Sequence, residues 1–345
     1  MILLLLTACG ATSSDRYLAF VRGDDGYSVA PREIATLVDA VQMSGDLGVI
    51  EHGGTFVGDP NAADYAGGVA LEVRFSVVDG VAVPADEDGL LLFTFYADLE
   101  DARAMAVAHE IDVDPIFPID MAWNPAVDWQ IEFAPADNAA YATGANTFVL
   151  LPDGGNRDVP ILGNTGVIRH EFGHAIFHLL TVGDPHASPI VTDVNTEAAD
   201  WQASLHEGFA DSMAALSLDD AQFLSDSLDM PARHLDGDAV MESKLDPANV
   251  VAEASSDALS FYDPYPLGTV FASVAWDTRV SLDDPDAALD FLVRGVQAWD
   301  PAADLSGASF LDAWVAAANG PVQRQVLCAA ITNRFTGYHI PEACG

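Results

Sequence analysis

Apolar and polar residues alternate in short segments of the first half of the chain, which is the pattern of β-strands. Residues 69–78 alternate in this way up to Asp79 and Gly80, and an Asp-Gly pair after such a run predicts a β-hairpin. Short apolar runs predict further strands over residues 90–96, 116–123 and 146–151. The first half of the sequence is therefore predicted to be rich in strands.

A helical period of apolar residues appears at two places in the first half and dominates the second half. It predicts helices over residues 31–42 and 98–111, and a mainly helical chain after residue 195. Strands followed by helices are typical of an α+β fold. Apart from the predicted helix, residues 16–68 are rich in Gly and Asp, and no role is assigned to them from the sequence.

One apolar helical segment carries the residues that decide the chemistry. His170 and His174 are four residues apart, so both imidazoles lie on the same face of a helix. Glu171 follows the first histidine directly, where its carboxylate can take a proton from water on a metal ion. The segment is otherwise so apolar that it must be buried, and buried histidines beside a carboxylate need a partner. This H-E-x-x-H pattern predicts that the partner is zinc, at one ion per chain.

A zinc site needs a third protein ligand, and the sequence offers one downstream. Phe177 and Leu180 stand where the extended H-E-x-x-H-x-x-G-x-x-H pattern requires glycine and histidine, so that class of site is excluded. Glu207 and Asp211 are four residues apart in a segment with helical period, so one carboxylate can bind the metal while the other accepts the free N–H of a ligand histidine. His206 is the rival ligand. Glu207 is preferred because two histidines, a glutamate and water form a known hydrolytic zinc set.

These two motifs resemble those of the gluzincin metallopeptidases, of the thermolysin and fungalysin type. Residues 265–277, which begin Tyr-Pro-Leu-Gly, are similar to the glycine-led helix that follows the zinc helices in fungalysin-like members. The resemblance covers about residues 90–320. It implies a zincin-like fold of the α+β class.

The resemblance also implies a role for each residue of the two motifs. His170, His174 and Glu207 would be the zinc ligands. Glu171 would be the general base, and Asp211 would orient a ligand histidine.

The chain differs from the families it resembles in the residue that would donate a hydrogen bond to the oxyanion. Those families have a histidine shortly before the glycine of the segment that corresponds to residues 265–277, and this histidine donates a hydrogen bond to the oxyanion. Residues 261–268 contain no histidine. Tyr265, or alternatively Tyr262, is expected to donate its phenol instead, unless both tyrosines only pack in a Pro-rich loop.

The composition is strongly acidic, with 53 Asp and Glu against 13 Lys and Arg. A net charge of -40 repels nucleic acid and anionic membrane surfaces, so no nucleic-acid partner is expected. Two explanations of the acidity stay open: a solvated surface suited to high salt, or calcium sites in Asp-rich loops. The candidate calcium loops are residues 86–89, 236–238 and 283–286.

The first residues form an apolar run that ends in Leu-Thr-Ala-Cys, which resembles a bacterial lipoprotein signal. Cleavage before Cys9 would remove residues 1–8 and leave this cysteine to carry the lipid. Cys328 and Cys344 then remain as an even pair in an oxidising compartment, which predicts a disulfide. Gly10 is not the aspartate associated with retention in the inner membrane, so we expect an extracytoplasmic protein anchored to the outer membrane.

These features predict a signal peptide over residues 1–8, a tether and N-terminal segment of unknown role over 9–68, and a zinc metallopeptidase domain over 69–345. The expected function is hydrolysis of a polypeptide substrate by zinc-bound water that a glutamate activates. Two alternatives stay open. One is a surface lipoprotein that keeps the fold and the metal as a binding or structural module, and the other is a zinc hydrolase of non-peptide bonds.

Overall fold

The computed structural model describes residues 15–57, 64–128, 137–152, 157–191, 196–254 and 262–345. It confirms the α+β class, because strands fill most of the first half and helices most of the second. The strands are β1 (Arg16–Gly23), β2 (Gly26–Glu33), β3 (Leu37–Asp39), β4 (Ser44–Gly45), β5 (Gly48–Val57), β6 (Asp64–Ala70), β7 (Phe75–Val78), β8 (Val81–Pro84), β9 (Ile119–Trp123), β10 (Ala126–Asp128), β11 (Asn138–Ala142) and β12 (Thr147–Leu151). The α-helices are α1 (Glu87–Ala108), α2 (Thr165–Val182), α3 (Glu197–Leu218), α4 (Pro247–Ala254), α5 (Tyr265–Leu282), α6 (Pro285–Ala298), α7 (Gly307–Ala316) and α8 (Pro321–Arg334).

A small sheet with the order β2-β1-β8-β7 contains the predicted hairpin. β7 and β8 pair antiparallel, and the turn between them has positive φ at both Asp79 and Gly80. A two-residue hairpin turn of this kind requires positive φ at both positions, which Asp-Gly accommodates at low cost. The hairpin prediction is confirmed for β7 and β8, but residues 69 and 70 end β6, which pairs with β5 in the other sheet.

The larger sheet positions the candidate site. Its central strands β5, β9 and β12 run parallel to one another, and β11 pairs antiparallel with β12 at one edge. Among the described strands, β11 has a partner on one side only. The strands predicted over residues 116–123 and 146–151 are confirmed by β9 and β12.

The strand predicted over residues 90–96 is wrong, because these residues belong to α1. Asp86 begins this helix by accepting a hydrogen bond from the backbone N–H of Gly89. The first half of α1 is buried around most of its circumference, so its apolar run carries no helical period. An unbroken apolar run of this length does not distinguish a buried helix from a buried strand. The helix predicted over residues 98–111 is confirmed as the second half of α1, which ends at Ala108.

The helix predicted over residues 31–42 is also wrong. These residues end β2 and continue through β3, and β2 pairs with β1 along its whole length. Pairing with the neighbouring strands β1 and β4 decides the conformation here, against the local spacing of apolar residues. Residues 16–57 thus supply five strands, β1 to β5, to the two sheets.

Three helices of the second half pack closely enough to bring their side chains into one site. A Cβ on Gly173 of α2 would lie 2.8 Å from the Cα of Ala210 in α3. A Cβ on Gly208 of α3 would lie 2.7 Å from the carbonyl oxygen of Gly268 in α5. Because these contacts leave no room for a side chain, the two glycines permit the close approach of α2, α3 and α5.

The C-terminal end of the chain is cross-linked. Cys328 of α8 and Cys344 form a disulfide, with Cα atoms 5.3 Å apart. These are the two cysteines that the sequence predicts as a pair. Within the described residues, no helix has both the length and the apolar character needed to cross a membrane.

Candidate metal centre

The two histidines of the H-E-x-x-H motif meet on one face of α2. The helix begins at Asn164, whose side chain accepts from the backbone N–H of Gly166, and it ends at Gly183 in the left-handed conformation. One turn separates His170 from His174, and their Nε2 atoms lie 3.0 Å apart. Both side chains are buried.

Glu207 reaches the same point from α3. Its Oε2 atom lies 3.4 Å from the Nε2 of His170 and 3.8 Å from the Nε2 of His174. A tetrahedral zinc ion with bonds of about 2.0–2.2 Å holds its ligand atoms about 3.3–3.6 Å apart. The three separations surround that range, so the cluster has the dimensions of a metal site.

Two buried polar atoms at this point lack a hydrogen-bond partner. Glu207 Oε2 and His174 Nδ1 are buried without a hydrogen bond. Burial raises the pKa of Glu207 to about 7, although the charges of His170 and Arg233 act in the opposite direction. Burial also lowers the pKa of His174 well below its usual value, so this imidazole stays neutral, as a metal ligand must be. A buried cluster of this composition could hold a metal ion, which would supply the missing partner.

Asp211 lies one helical turn beyond Glu207 and fixes the first histidine. Its Oδ1 atom is 2.8 Å from the Nδ1 of His170, so the imidazole donates from Nδ1 and leaves Nε2 free for a metal. Burial alone would raise the pKa of Asp211, but the adjacent Arg233 and His170 lower it below its usual value. Asp211 is therefore ionised when it accepts this hydrogen bond.

Arg233 is a site residue that the sequence does not indicate. It ends a short 3-10 helix (Pro231–Arg233), is 9% exposed, and donates from Nη2 to the carboxylate of Asp211. The same Nη2 atom lies 4.0 Å from Oε2 of Glu207. No motif surrounds this arginine, and its chain position predicts no contact with α3.

Glu171 is buried beside the cluster. Its Oε1 atom lies 4.0 Å from the Nε2 of His170, and the backbone N–H of Tyr141 in β11 donates to its carboxylate. Burial raises the pKa of Glu171 to about 7, and the positive charge of His170 opposes this increase. The carboxylate is thus placed next to the metal ligands by both α2 and the edge strand.

His206, the rival ligand, does not join the cluster. Its Nε2 atom lies 3.1 Å from the carbonyl oxygen of His174, and burial lowers its pKa to about 3. A neutral imidazole that meets a carbonyl oxygen must donate to it, so this Nε2 has no lone pair for a metal. Of the two rivals, Glu207 is the one whose ligand atom converges with the histidines.

The two tyrosines proposed as oxyanion donors occupy different places. The hydroxyl of Tyr262 is 2.8 Å from the Oγ of Ser204, which belongs to α3. Tyr265 stands at the rim of the cavity, with the guanidinium of Arg233 4.4 Å from its ring centre. The charge of Glu207 and then burial raise the pKa of Tyr265, so its phenol stays protonated and can donate.

An open cavity of about 280 Å³ lies over the metal cluster. One wall is the edge strand β11. Another part of the lining, which we call the apolar wall, is formed by Ile161, Val167, Leu224 and Leu228. The site therefore combines converging metal ligands, a buried carboxylate and an accessible space.

A third histidine of α2 and the other predicted features that the structure describes do not join the metal cluster. Nε2 of His178 is 3.0 Å from the carbonyl oxygen of Ala187, so it does not reach the metal cluster. Two of the candidate calcium loops begin helices, because Asp86 caps α1 and Asp284 caps α6. In the parts of the chain that the structure describes, the set of His170, His174 and Glu207 is the only one whose ligand atoms converge. Calcium binding stays a prediction, and Cys9 lies outside the described residues.

The chain matches no protein-family model, and no curated protein is similar enough to count as a relative.

Proposed function

We propose that this protein is a zinc-dependent peptidase with a zincin-like fold. The observation that carries the proposal is the convergence of His170, His174 and Glu207 beside Glu171 at the bottom of an open cavity. Two imidazoles and one carboxylate, with space for a further ligand, form the donor set of hydrolytic zinc sites. One of these ligands has a buried, unpartnered oxygen that an ion would satisfy.

The roles of the residues follow from their positions. Zinc, when bound, acts as a Lewis acid and increases the acidity of a water molecule on it. Glu171 accepts the proton of the attacking water and returns it to the departing amine. Asp211 holds the imidazole of His170 in the orientation and tautomer that a ligand needs. Arg233 neutralises Asp211, which would otherwise be a buried, isolated charge.

The walls of the cavity favour a peptide as the substrate. β11 lines the cavity and has a strand partner on one side only, so an extended peptide can lie along its other side. The apolar wall of the cavity suits an apolar side chain of that peptide. Both features act on a polypeptide, and a small non-peptide ester uses neither in full.

Tyr265 is proposed as the donor to the oxyanion. It lines the cavity over the metal cluster, whereas Tyr262 is engaged with Ser204. A protonated phenol next to the reacting carbonyl stabilises negative charge that develops in the transition state.

The proposed setting is extracytoplasmic, with a lipid on Cys9 in a bacterial membrane. The disulfide between Cys328 and Cys344 supports an oxidising compartment, because such bonds are rare in the cytosol. When the full reading frame is expressed in a Gram-negative bacterium, we expect the protein in the detergent phase and Cys9→Ser unprocessed or released. Recovery of the wild type as a soluble cytoplasmic protein would contradict the anchor.

The peptidase proposal is tested by elemental analysis together with cleavage of an unfolded protein. We expect one zinc per chain, and cleavage that is lost in Glu171→Gln while zinc remains. The matched control is Glu197→Gln, which makes the same change at an exposed position of α3 and should cleave normally. Equal cleavage by wild type and Glu171→Gln would refute the peptidase. Zinc binding without any cleavage would favour a binding or structural module.

A further inference from the structure

We propose that Arg157 is a positioning residue that sets the separation of the two walls of the cavity. The proposal rests on the function proposed above, because it assumes that a peptide binds between β11 and the apolar wall. Arg157 itself does not line the cavity. It would act on the substrate through the segments that it joins.

The side chain of Arg157 bridges the two walls directly. Its Nε donates to the carboxylate of Asp137, the residue immediately before β11. Its Nη1 donates to the carbonyl oxygen of Ser227, which lies between Leu224 and Leu228 of the apolar wall. One guanidinium therefore connects the beginning of the edge strand to the loop that carries Leu224 and Leu228 of the apolar wall.

Further hydrogen bonds extend this connection to the metal helix. The second carboxylate oxygen of Asp137 accepts from the backbone N–H of Ile161, at 3.2 Å. The Oγ of Ser227 lies 3.0 Å from Nδ2 of Asn164, the residue that begins α2. The contacts of Arg157 thus join the edge strand, the apolar wall and the start of the metal helix.

The geometry of the arginine side chain suits it to bridge these two groups. The guanidinium presents several N–H groups in a rigid plane, so it can hold a carboxylate and a carbonyl at a defined distance. Lysine carries a single nitrogen on a flexible stem and cannot reproduce both bonds with the same spacing. Without the bridge, the loop with Leu224 and Leu228 can move relative to β11. Binding of a peptide with a large side chain would be weakened most, because such a side chain must touch both walls.

The experiment compares two peptides that differ only in the side chain placed against the apolar wall, leucine or alanine. In Arg157→Ala we expect the ratio of kcat/KM, leucyl over alanyl, to fall about tenfold, mainly through KM of the leucyl peptide. Arg157→Lys, which retains the charge, should show the same loss. This second variant keeps the test valid if the alanine variant misfolds. Zinc content should not change in either variant.

The matched control is Arg279→Ala, which removes a two-bond ion pair with Asp219 on the surface. It should leave the leucyl-to-alanyl ratio unchanged. An equal loss for both peptides in Arg157→Ala, or an unchanged ratio, would show that Arg157 is only structural and would overturn the proposal.

A binding measurement separates this proposal from the peptidase proposal. Leucyl and alanyl hydroxamates can be titrated into the zinc-loaded protein by calorimetry, whether or not a peptide is cleaved. Wild type should prefer the leucyl compound, and Arg157→Ala should lose most of that preference. No preference in wild type, or the same preference in the variant, would overturn the role of Arg157. A wild type that cleaves neither peptide would overturn the peptidase proposal alone.

Discussion

At the scale of single residues, three buried side chains organise the site. Arg233 contacts Asp211, and Asp211 contacts His170. Each member satisfies the next, so that a buried guanidinium, a buried carboxylate and a buried imidazole are stable together. The other nitrogen of His170, Nε2, faces Glu207 and His174. This arrangement predicts which substitutions remove the metal and which do not.

We expect His170→Ala and His174→Ala to abolish zinc binding and Glu207→Ala to weaken it strongly. Asp211→Asn should weaken it about 10–100-fold, because the ligand His170 loses the partner that orients it. Titration against a competing chelator measures these affinities. The control is His206→Ala, which should retain zinc because its Nε2 already donates to a carbonyl oxygen. Loss of zinc in this variant, with zinc retained by Glu207→Ala, would reverse the assignment of the third ligand.

The phenol of Tyr265 is predicted to act only in the transition state. Its removal in Tyr265→Phe should therefore lower kcat and kcat/KM together, by about 10²–10³-fold. Zinc content and melting temperature should remain those of the wild type. Tyr262→Phe is the matched control and should change turnover much less, because its hydroxyl binds Ser204. Near-normal turnover of Tyr265→Phe would place the donor elsewhere.

At the scale of elements, the metal ligands come from two helices, so the contact between α2 and α3 determines whether they converge. Gly173 lies within the H-E-x-x-H motif and faces the backbone of Ala210. The atom that a side chain would meet is backbone, which cannot rotate away. The spacing of the helices, and with it the distance from Glu207 to the histidines, depends on this glycine.

Gly173→Ala should therefore destabilise the protein by about 1–3 kcal/mol, the usual cost of overpacking a core, and should weaken zinc binding as well. Chemical unfolding and a chelator titration measure the two effects. Gly320→Ala is the control: an added Cβ meets nothing there, and the backbone is extended. A Gly173→Ala variant with normal stability and zinc affinity would show that α2 and α3 adjust freely.

At the scale of the whole molecule, 53 acidic residues against 13 basic ones leave most of the charge unneutralised. Like charges repel in the compact state more than in the unfolded chain, and salt screens this repulsion. The two open explanations of the acidity differ in what should relieve it. A solvated acidic surface responds to ionic strength, and calcium loops respond to calcium itself.

We expect the melting temperature to rise by a few degrees between low salt and 1 M sodium chloride. A shift of that size corresponds to about 1–2 kcal/mol for a chain of this size. Calcium chloride and magnesium chloride at equal ionic strength are the matched pair and should act alike. A stabilisation by calcium that magnesium does not reproduce would favour the calcium loops instead.

The sequence by itself determined the features that depend on spacing within one element. Four residues between His170 and His174 place both imidazoles on one face of a helix. An Asp-Gly pair admits the positive φ values of the hairpin turn, wherever the hairpin lies in the fold. For the same reason the four-residue spacing of Glu207 and Asp211 places both carboxylates on one face of α3, where each lies close to His170.

Only the tertiary structure decided the features that depend on distant segments. Residues 90–96 form a helix, and residues 31–42 form two strand segments with turns, because burial on all sides and strand pairing override the local pattern. Arg233 ends a short 3-10 helix and Arg157 lies in a loop, and nothing in their neighbouring residues indicates their partners. The physical reason is that side-chain direction within a helix or strand repeats with a fixed period, whereas a contact between elements depends on how the whole chain packs.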